Sequence, residues 1–464
     1  MTGSGIASAR QIAAAVRAGA LDPGAVVEST RARIGARNAE LNAVVGDWPR
    51  DLAAQVEQLR DRLARGEPLP LAGVPVLVKD VIWVRGQRVT QGSLLFRDFV
   101  APHDALAVER LRAAGALIVG MANSSEFACK GLTTNRVYGC TRHPQDPALT
   151  PGGSSGGCAS AVAAGFVPLA LGTDGGGSSR RPPAHVGVVG FKPSFGAIAD
   201  PPQRGFDHAF PGLQVLAPIG RSVDDVALMF EAMAGPDAGD PQALPALAAD
   251  PPSATAALRL AWSPRLGLDV PVDDDVAACL ERAISALRRA GLPIASADPA
   301  WPAGATEDSL MPLQHCGLAR LYGDAWQRDP TPFDPDIGRQ IARGLQFSGA
   351  DHARARAAGA AIGAALHGFL GQHDLLLCPT APCVAWSADL AGPERIGGRA
   401  VEPRAHAVFT PFVNHALAAA ITLPCGRGRD GLPVGLQLVA ARGRDRQLLA
   451  AARTFESVLA AQGD

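Results

Sequence analysis

Apolar residues recur at helical spacing near the amino terminus, over about residues 9–18, 23–36, 48–65 and 104–114. The second stretch opens on Asp22 and Pro23, a capping side chain followed by the residue best suited to a first helical turn. Short, continuous apolar runs then appear at Val74–Val78, Leu117–Met121 and Val167–Leu171. Runs of that length, apolar at every position, suit strands covered on both faces of a sheet. A helix is expected from Ser222, and the Pro-, Ala-, Gly- and Asp-rich stretch 235–252 after it reads as a surface connection. The pattern resumes with a strand at Leu258–Trp262, helices over about 273–290 and 351–373, and strands at Leu375–Leu377 and Val434–Val439. Strands alternating with helices predict a layered α/β fold. No period repeats along the chain, which excludes solenoids and propellers.

Composition narrows the function classes. A chain of 464 residues, 47% of them hydrophobic, buries a large core without disulfide or metal staples. The formal net charge of -1 supplies no global positive field. The densest basic stretch, around Arg442, Arg444 and Arg446, is interspersed with other residue types and reads as a solvated helix end, so no direct nucleic-acid partner is expected. Arg, Asp or Gln interrupts every apolar stretch before it reaches the roughly 18–20 residues of a membrane span. The amino terminus carries no basic segment followed by an apolar run and a cleavage site, so a soluble, cytoplasmic protein is expected. Eight dispersed cysteines fit reduced thiols. Cys378 and Cys383 lack the further Cys or His pair that zinc requires, and no metal or organic cofactor is indicated.

The chemistry is written in two glycine-serine clusters, Thr150-Pro-Gly-Gly-Ser-Ser-Gly-Gly157 and Gly172-Thr-Asp-Gly-Gly-Gly-Ser-Ser-Arg180. Each lies between segments expected to be regular structure, where a flexible linker is out of place. Glycine permits sharp turns and close backbone approach, and successive exposed N–H groups form an anion-binding concavity of the kind an oxyanion needs. Upstream, Lys79 ends the run Gly73-Val-Pro-Val-Leu-Val-Lys-Asp80, so a strand delivers an amine out of an apolar environment. Burial would bring its pKa from about 10.4 towards the range of about 7 to 8 that suits a general base.

These three segments resemble the amidase-signature family. Lys79 precedes Ser154 by 75 positions and Ser154 precedes Ser178 by 24, the separations of that family's Lys-Ser-Ser triad. The resemblance continues through Thr141-Arg-His-Pro, Val188-Val-Gly-Phe-Lys-Pro193 and Gly431-Leu-Pro-Val-Gly-Leu-Gln-Leu438, and so covers most of the chain. It implies a large mixed twisted sheet surrounded by helices, with residues 1–66 a helical segment packed on a catalytic domain spanning 67–464. It also implies an amidase in which Ser178 is the nucleophile, Ser154 the bridging serine on a cis peptide, and Lys79 the terminal base. The N–H groups of Gly175, Gly176, Gly177 and Ser178 would then form the oxyanion hole. Ala128, Cys129, Ser155 and Arg180 are candidate substrate contacts, although Arg180 is better placed to pair with Asp174 and hold the loop, and Ser155 to support it. The expected partners are a small amide substrate and, at most, a second copy of the chain.

The chain departs from the family at Ser179 and His185, and in the stretch His415-Ala-Leu-Ala-Ala-Ala420, which bears on the substrate pocket and not on the triad. With aromatics at only 5%, a pocket lined by aliphatic residues and glycines is expected. Two other functions are open at this stage. The family also contains the glutaminase component of tRNA-dependent amidotransferases. Separately, Gly152-Gly-Ser-Ser-Gly156 satisfies the nucleophile-elbow pattern of α/β-hydrolases, which would make Ser154 the nucleophile and require a histidine such as His315, His352, His373 or His415.

Overall fold

The computed structural model describes residues 7–245 and 255–461; the carboxyl-terminal part of the expected 235–252 connection lies outside the described residues. Eleven strands form one mixed sheet. In chain order they are β1 (Val44–Val45), β2 (Pro75–Lys79), β3 (Leu117–Ala122), β4 (Leu169–Asp174), β5 (Val189–Lys192) and β6 (Val215–Gly220). They continue with β7 (Leu260–Trp262), β8 (Ile294–Ser296), β9 (Leu375–Pro379), β10 (Ala419–Arg427) and β11 (Pro433–Ala440). Their spatial order is β1-β3-β2-β4-β6-β5-β10-β11-β9-β7-β8.

The apolar runs read from the sequence lie inside this sheet. Val76, Leu77 and Val78 of β2 and Leu169, Ala170 and Leu171 of β4 have no solvent exposure, which is why neither strand alternates polar with apolar residues. β2 pairs in parallel with β3 on one side and β4 on the other, Val78 lying opposite Leu171 and Met121. Parallel pairing carries the carboxyl ends of β2 and β4 out at the same edge of the sheet, so Lys79 arrives beside Thr173 and Asp174. Carboxyl ends of strands are where open α/β sheets hold their ligands.

The amino-terminal helices Ala9–Arg17, Pro23–Leu41 and Leu52–Ala64 turn Ile12, Val16, Val26, Ile34 and Val56 into the same hydrophobic cluster as Val76 and Leu171. The Asp22 side chain accepts from the Ala25 N–H at 3.0 Å, as its capping position suggests. The expected helix after Ser222 spans Val223–Met233, with the Ser222 side chain accepting from the Asp225 N–H. Helices over Asp274–Arg289 and Gly349–Gln372 also lie where the periodicity places them.

Two regions differ from the sequence reading. β4 begins at Leu169 and runs on through Gly172, Thr173 and Asp174, so the second glycine cluster starts inside a strand. A Cβ at Gly172 would lie 3.1 Å from Ser155 Oγ, and glycine there lets the strand approach the first cluster. β6 and β10, rich in Pro and Gly, carry turn-like composition, and β5 is only four residues long; pairing with neighbours decides all three.

The helix Gly156–Ala163 opens within the first cluster and packs on β4 and β2. Its Gly157 lies against β3, where a Cβ would be 2.5 Å from the Asn123 backbone N and would also collide with the Asn123 carbonyl oxygen. Gly157→Ala therefore forces backbone apart in a filled core. It is expected to lower stability by about 1–3 kcal/mol, read as a lower midpoint of urea unfolding; an unchanged midpoint would contradict this packing.

Candidate active site

Lys79 has no solvent exposure and is the polar end of an otherwise apolar strand. Its Nζ lies 2.8 Å from Ser154 Oγ, 2.9 Å from Ser155 Oγ and 2.9 Å from Thr173 Oγ1. Burial pushes the amine down to about 8, against smaller upward influences from Cys158, Asp174 and Cys129. Ser154 Oγ is 3.0 Å from Ser178 Oγ, so three side chains from a strand end and two glycine-serine loops form one hydrogen-bonded line. The peptide between Gly153 and Ser154 is cis. Ser178 alone of the three reaches solvent, at 7% exposure.

A second buried lysine shows what distinguishes Lys79. Lys192, in the segment Gly-Phe-Lys-Pro193, is also without exposure, and burial pushes it to about 7. Its Nζ donates to the carbonyls of Pro193 at 3.0 Å and Ala418 at 2.7 Å and to no serine. Burial depresses both amines; only Lys79 meets a hydroxyl chain.

The loop carrying Ser178 is built around Asp174. Burial works against this carboxylate, but the Arg180 guanidinium overrides it and holds Asp174 well below the usual carboxylate range. Asp174 accepts from Gly177 N, Ser179 N, Ser179 Oγ, Asn414 Nδ2 and two nitrogens of Arg180, all within 3.0 Å. Ser179, a departure from the family pattern, thus gives this carboxylate an additional hydroxyl donor. Arg180 donates in addition to the Thr410 carbonyl at 3.0 Å, Gln437 Oε1 at 2.8 Å and Asn414 Oδ1 at 2.6 Å. A guanidinium has five N–H donors and these bonds engage them all. Arg180 therefore holds the loop and has no donor left for substrate, which corrects its place among the candidate contacts.

The same carboxylate corrects the oxyanion hole. The Gly177 N–H donates to Asp174 Oδ1 at 2.8 Å and is not free. The N–H groups of Gly175, Gly176 and Ser178 meet no acceptor among the described residues and remain available. Gly177 itself has φ +120°, and a Cβ there would collide with the Thr410 side chain. Thr410 Oγ1 donates to the Gly176 carbonyl at 2.8 Å, fixing the orientation of the loop beside the nucleophile.

Ser155 donates to the Thr173 carbonyl at 3.2 Å while facing Lys79, so it supports the amine and is fully buried away from substrate. Ala128 and Cys129 lie beside Phe127, which belongs with Cys129, Phe210, Leu310 and Tyr322 to a second apolar region. A Cβ on Gly175 would lie 2.8 Å from Phe210, and one on Gly176 would lie 3.1 Å from Leu310, so this region walls the oxyanion loop. Phe127 and Ala128 have φ of +51° and +60°, strained values for side-chain-bearing residues of the sort that gather at functional sites. The wall is more aromatic than composition suggests: Phe127 stacks on Tyr322 with ring centroids 4.0 Å apart. Thr173 and Gln437 lie in segments singled out in the sequence, but sequence reasoning gave neither them nor Thr410 and Asn414 a role.

No histidine meets Ser154, whose side-chain partners are Lys79 and Ser178. The histidine-dependent nucleophile elbow is therefore excluded: His315 stacks with Phe347 and His415 lies against Gly359 on another helix.

A buried amine, two serines in line and backbone donors beside the outer serine are an arrangement compatible with a serine hydrolase. The model of the Amidase family matches residues 25–449, and the chain belongs to that family; it is an amide hydrolase. It is 35% identical to an acylamidase of Rhodococcus erythropolis over 97% of this chain and 95% of the relative. It is also 35% identical to the A component of the glutamyl-tRNA(Gln) amidotransferase of Deinococcus radiodurans, over 98% of each chain. The structure of a bacterial aryl acylamidase of the amidase-signature enzymes superposes with a TM-score of 0.88 at 27% identity, covering 97% of this chain and 96% of that one.

Replacing Asp174 with Asn would leave Arg180 buried without its counter-charge. Asp174→Asn is expected to cost about 3–5 kcal/mol in chemical unfolding, whereas a loss under about 1 kcal/mol would mean that the pair does not hold the loop.

Proposed function

We propose that this amidase cleaves a carboxamide to a carboxylate and ammonia, or an amine, through an acyl-enzyme on Ser178. The observation that carries the reading is the continuous line from Lys79 Nζ through Ser154 Oγ to Ser178 Oγ, at 2.8 Å and 3.0 Å. A neutral amine has two N–H donors and one lone pair. Ser155 Oγ and Thr173 Oγ1 accept the two donors, which leaves the lone pair for the Ser154 hydroxyl proton. In that state Ser178 donates to Ser154 and Ser154 to Lys79, and Ser178 Oγ becomes nucleophilic as it attacks the amide carbon.

The attack moves one proton along the line and leaves Lys79 as an ammonium. The line then runs the other way, Lys79 donating to Ser154 and Ser154 towards the reaction centre. Nitrogen departs from the tetrahedral intermediate only after gaining a proton, and the reversed line supplies it. The oxyanion is met by the N–H groups of Gly175, Gly176 and Ser178; removing one such donor typically costs about 10²–10³ in rate. Water replaces the amine, the relay activates it, and the acid is released.

The kinship with the A components of amidotransferases supports a second reading, in which the same triad releases ammonia from glutamine for a partner. Hydrolysis by the purified chain without ATP, tRNA or a partner protein separates the two. Eight free cysteines suit the reducing cytoplasm as its compartment, and among the described residues no helix is long and apolar enough to cross a membrane.

Ammonia release from a panel of aliphatic, aromatic and amino-acid amides tests the mechanism. Ser178→Ala and Lys79→Ala are each expected to lose at least about 10³-fold in kcat/KM, and an active Lys79→Ala would defeat the relay. The base works only when neutral, so kcat/KM is expected to fall as pH drops through about 8 and to level off above it. A profile flat between about pH 6 and 9 contradicts a lysine base.

A further inference from the structure

Arg181 stands next to the saturated Arg180 and differs from it in every respect that matters for binding. It is only 6% exposed, yet among the described residues no carboxylate forms an ion pair with it. One terminal nitrogen donates to the Gly176 carbonyl at 3.0 Å and to Thr410 Oγ1 at 3.2 Å, while its buried Nε has no partner. Buried charges are otherwise paired, because removing a charge from water is costly unless an opposite charge or full hydrogen bonding offsets it.

The surroundings do not offset it. Asp174, the carboxylate acting on it, is already bound by Arg180, and Arg404 is paired with Asp308 at 2.9 Å and adds positive charge. His185 and His406 lie against opposite glycine loops: a Cβ on Gly152 would be 3.1 Å from His185, and one on Gly131 would be 2.5 Å from His406. Trp386 contacts both rings, at 5.4 Å and 4.7 Å. His185 Nε2 and His406 Nδ1 are, like Arg181 Nε, buried without hydrogen-bond partners. The cationic Arg181 thus stands near two imidazoles that it acts on electrostatically, and among the described residues no carboxylate pairs with it.

Their position relates to the reaction centre. The N–H of Arg181 bonds the Gly177 carbonyl at 2.9 Å, closing a helical turn that puts Ser178 and Arg181 three residues apart on one face. The guanidinium also holds the carbonyl of Gly176, in the loop whose free amides serve the oxyanion. Ser178 and Arg181 are each slightly exposed, at 7% and 6%, beside the half-buried Gly176.

We propose that Arg181 is the specificity-determining residue of this site, binding a carboxylate carried on the acyl part of the substrate, so that the chain acts preferentially on short half-amides. The proposal rests on the amidase reading for its reaction but not for its binding. A guanidinium–carboxylate contact is charge-assisted and frequently bidentate, which orients the acyl chain as well as holding it.

The test uses the full-length Ser178→Ala protein, titrated by calorimetry with succinamate and with butanamide, which differ only in carboxylate against methyl. Succinamate is expected to bind about ten- to hundredfold more tightly. Adding Arg181→Met should abolish that preference, and Arg181→Lys should retain part of it. A purely structural Arg181 would instead weaken both ligands in proportion. Equal affinity for the two ligands, no detectable binding of either, or a preference that survives Arg181→Met each overturns the proposal. If Arg181→Met does not fold, the comparison in Ser178→Ala alone decides. Wild-type ammonia release separates the two claims: no hydrolysis of any amide alongside tight succinamate binding removes the amidase reading and keeps the site, whereas hydrolysis with equal binding does the reverse.

Discussion

A carboxylate with no access to water organises the reaction centre. Asp174 sits at the end of a fully buried strand, and its charge survives there because six donors surround it, two of them from one guanidinium. Satisfying that charge dictates the path of the chain. The amides of Gly177 and Ser179 must point inward at Asp174, and the Ser178 side chain and N–H between them are left facing outward. Glycine is required at 177 because this path needs a positive φ and because Thr410 occupies the space of a side chain. The exposure of Ser178 is thus a consequence of how a neighbouring charge is neutralised.

Lys79 presents the complementary problem on the adjoining strand. Its environment offers hydroxyls and no carboxylate within ion-pair distance, so burial is not offset and the amine is depressed to about 8. Asp174 is stabilised as an anion while Lys79 is destabilised as a cation, although parallel pairing brings their strand ends together. The difference is the guanidinium, which binds Asp174, while Asp174 acts on Lys79 only as a smaller upward influence. Were Asp174 free to pair with the amine, the ammonium would be favoured.

The parts of this arrangement that were legible in sequence are those written in contiguous residues. Apolar runs located β2, β3 and β4, the end of the first of them located the lysine, and the glycine-serine clusters located the two serines. Long-range partners were not legible. Thr410, Asn414 and Gln437 reach Arg180 from more than 200 residues away, and nothing in the local sequence names Arg180 as their partner, even for Gln437 within a quoted segment. The fourfold oxyanion hole failed for a related reason: which amide is free depends on the one Asp174 takes, and that is settled by tertiary geometry. β6 and β10 escaped notice because Pro218, Pro424 and Gly426 carry turn-like composition; cross-strand pairing overrides that local preference. Leu417, in the stretch that departs from the family, adopts φ +56°, a value glycine reaches without strain.

The adjacent arginines show how far residue type alone misleads. Both are buried and both follow Ser178 in the chain. Arg180 lies inside a closed network in which each of its five donors has an acceptor, so it is structural and its charge is invisible to a ligand. Arg181 turns the other way, keeps an unused nitrogen, and is repelled by Arg404 with only the occupied Asp174 drawing it. A fold that needed only support for the Gly176 carbonyl could use a neutral donor there at lower cost. Retaining a guanidinium one turn from Ser178 makes sense when the missing anion arrives with each substrate and leaves with each product.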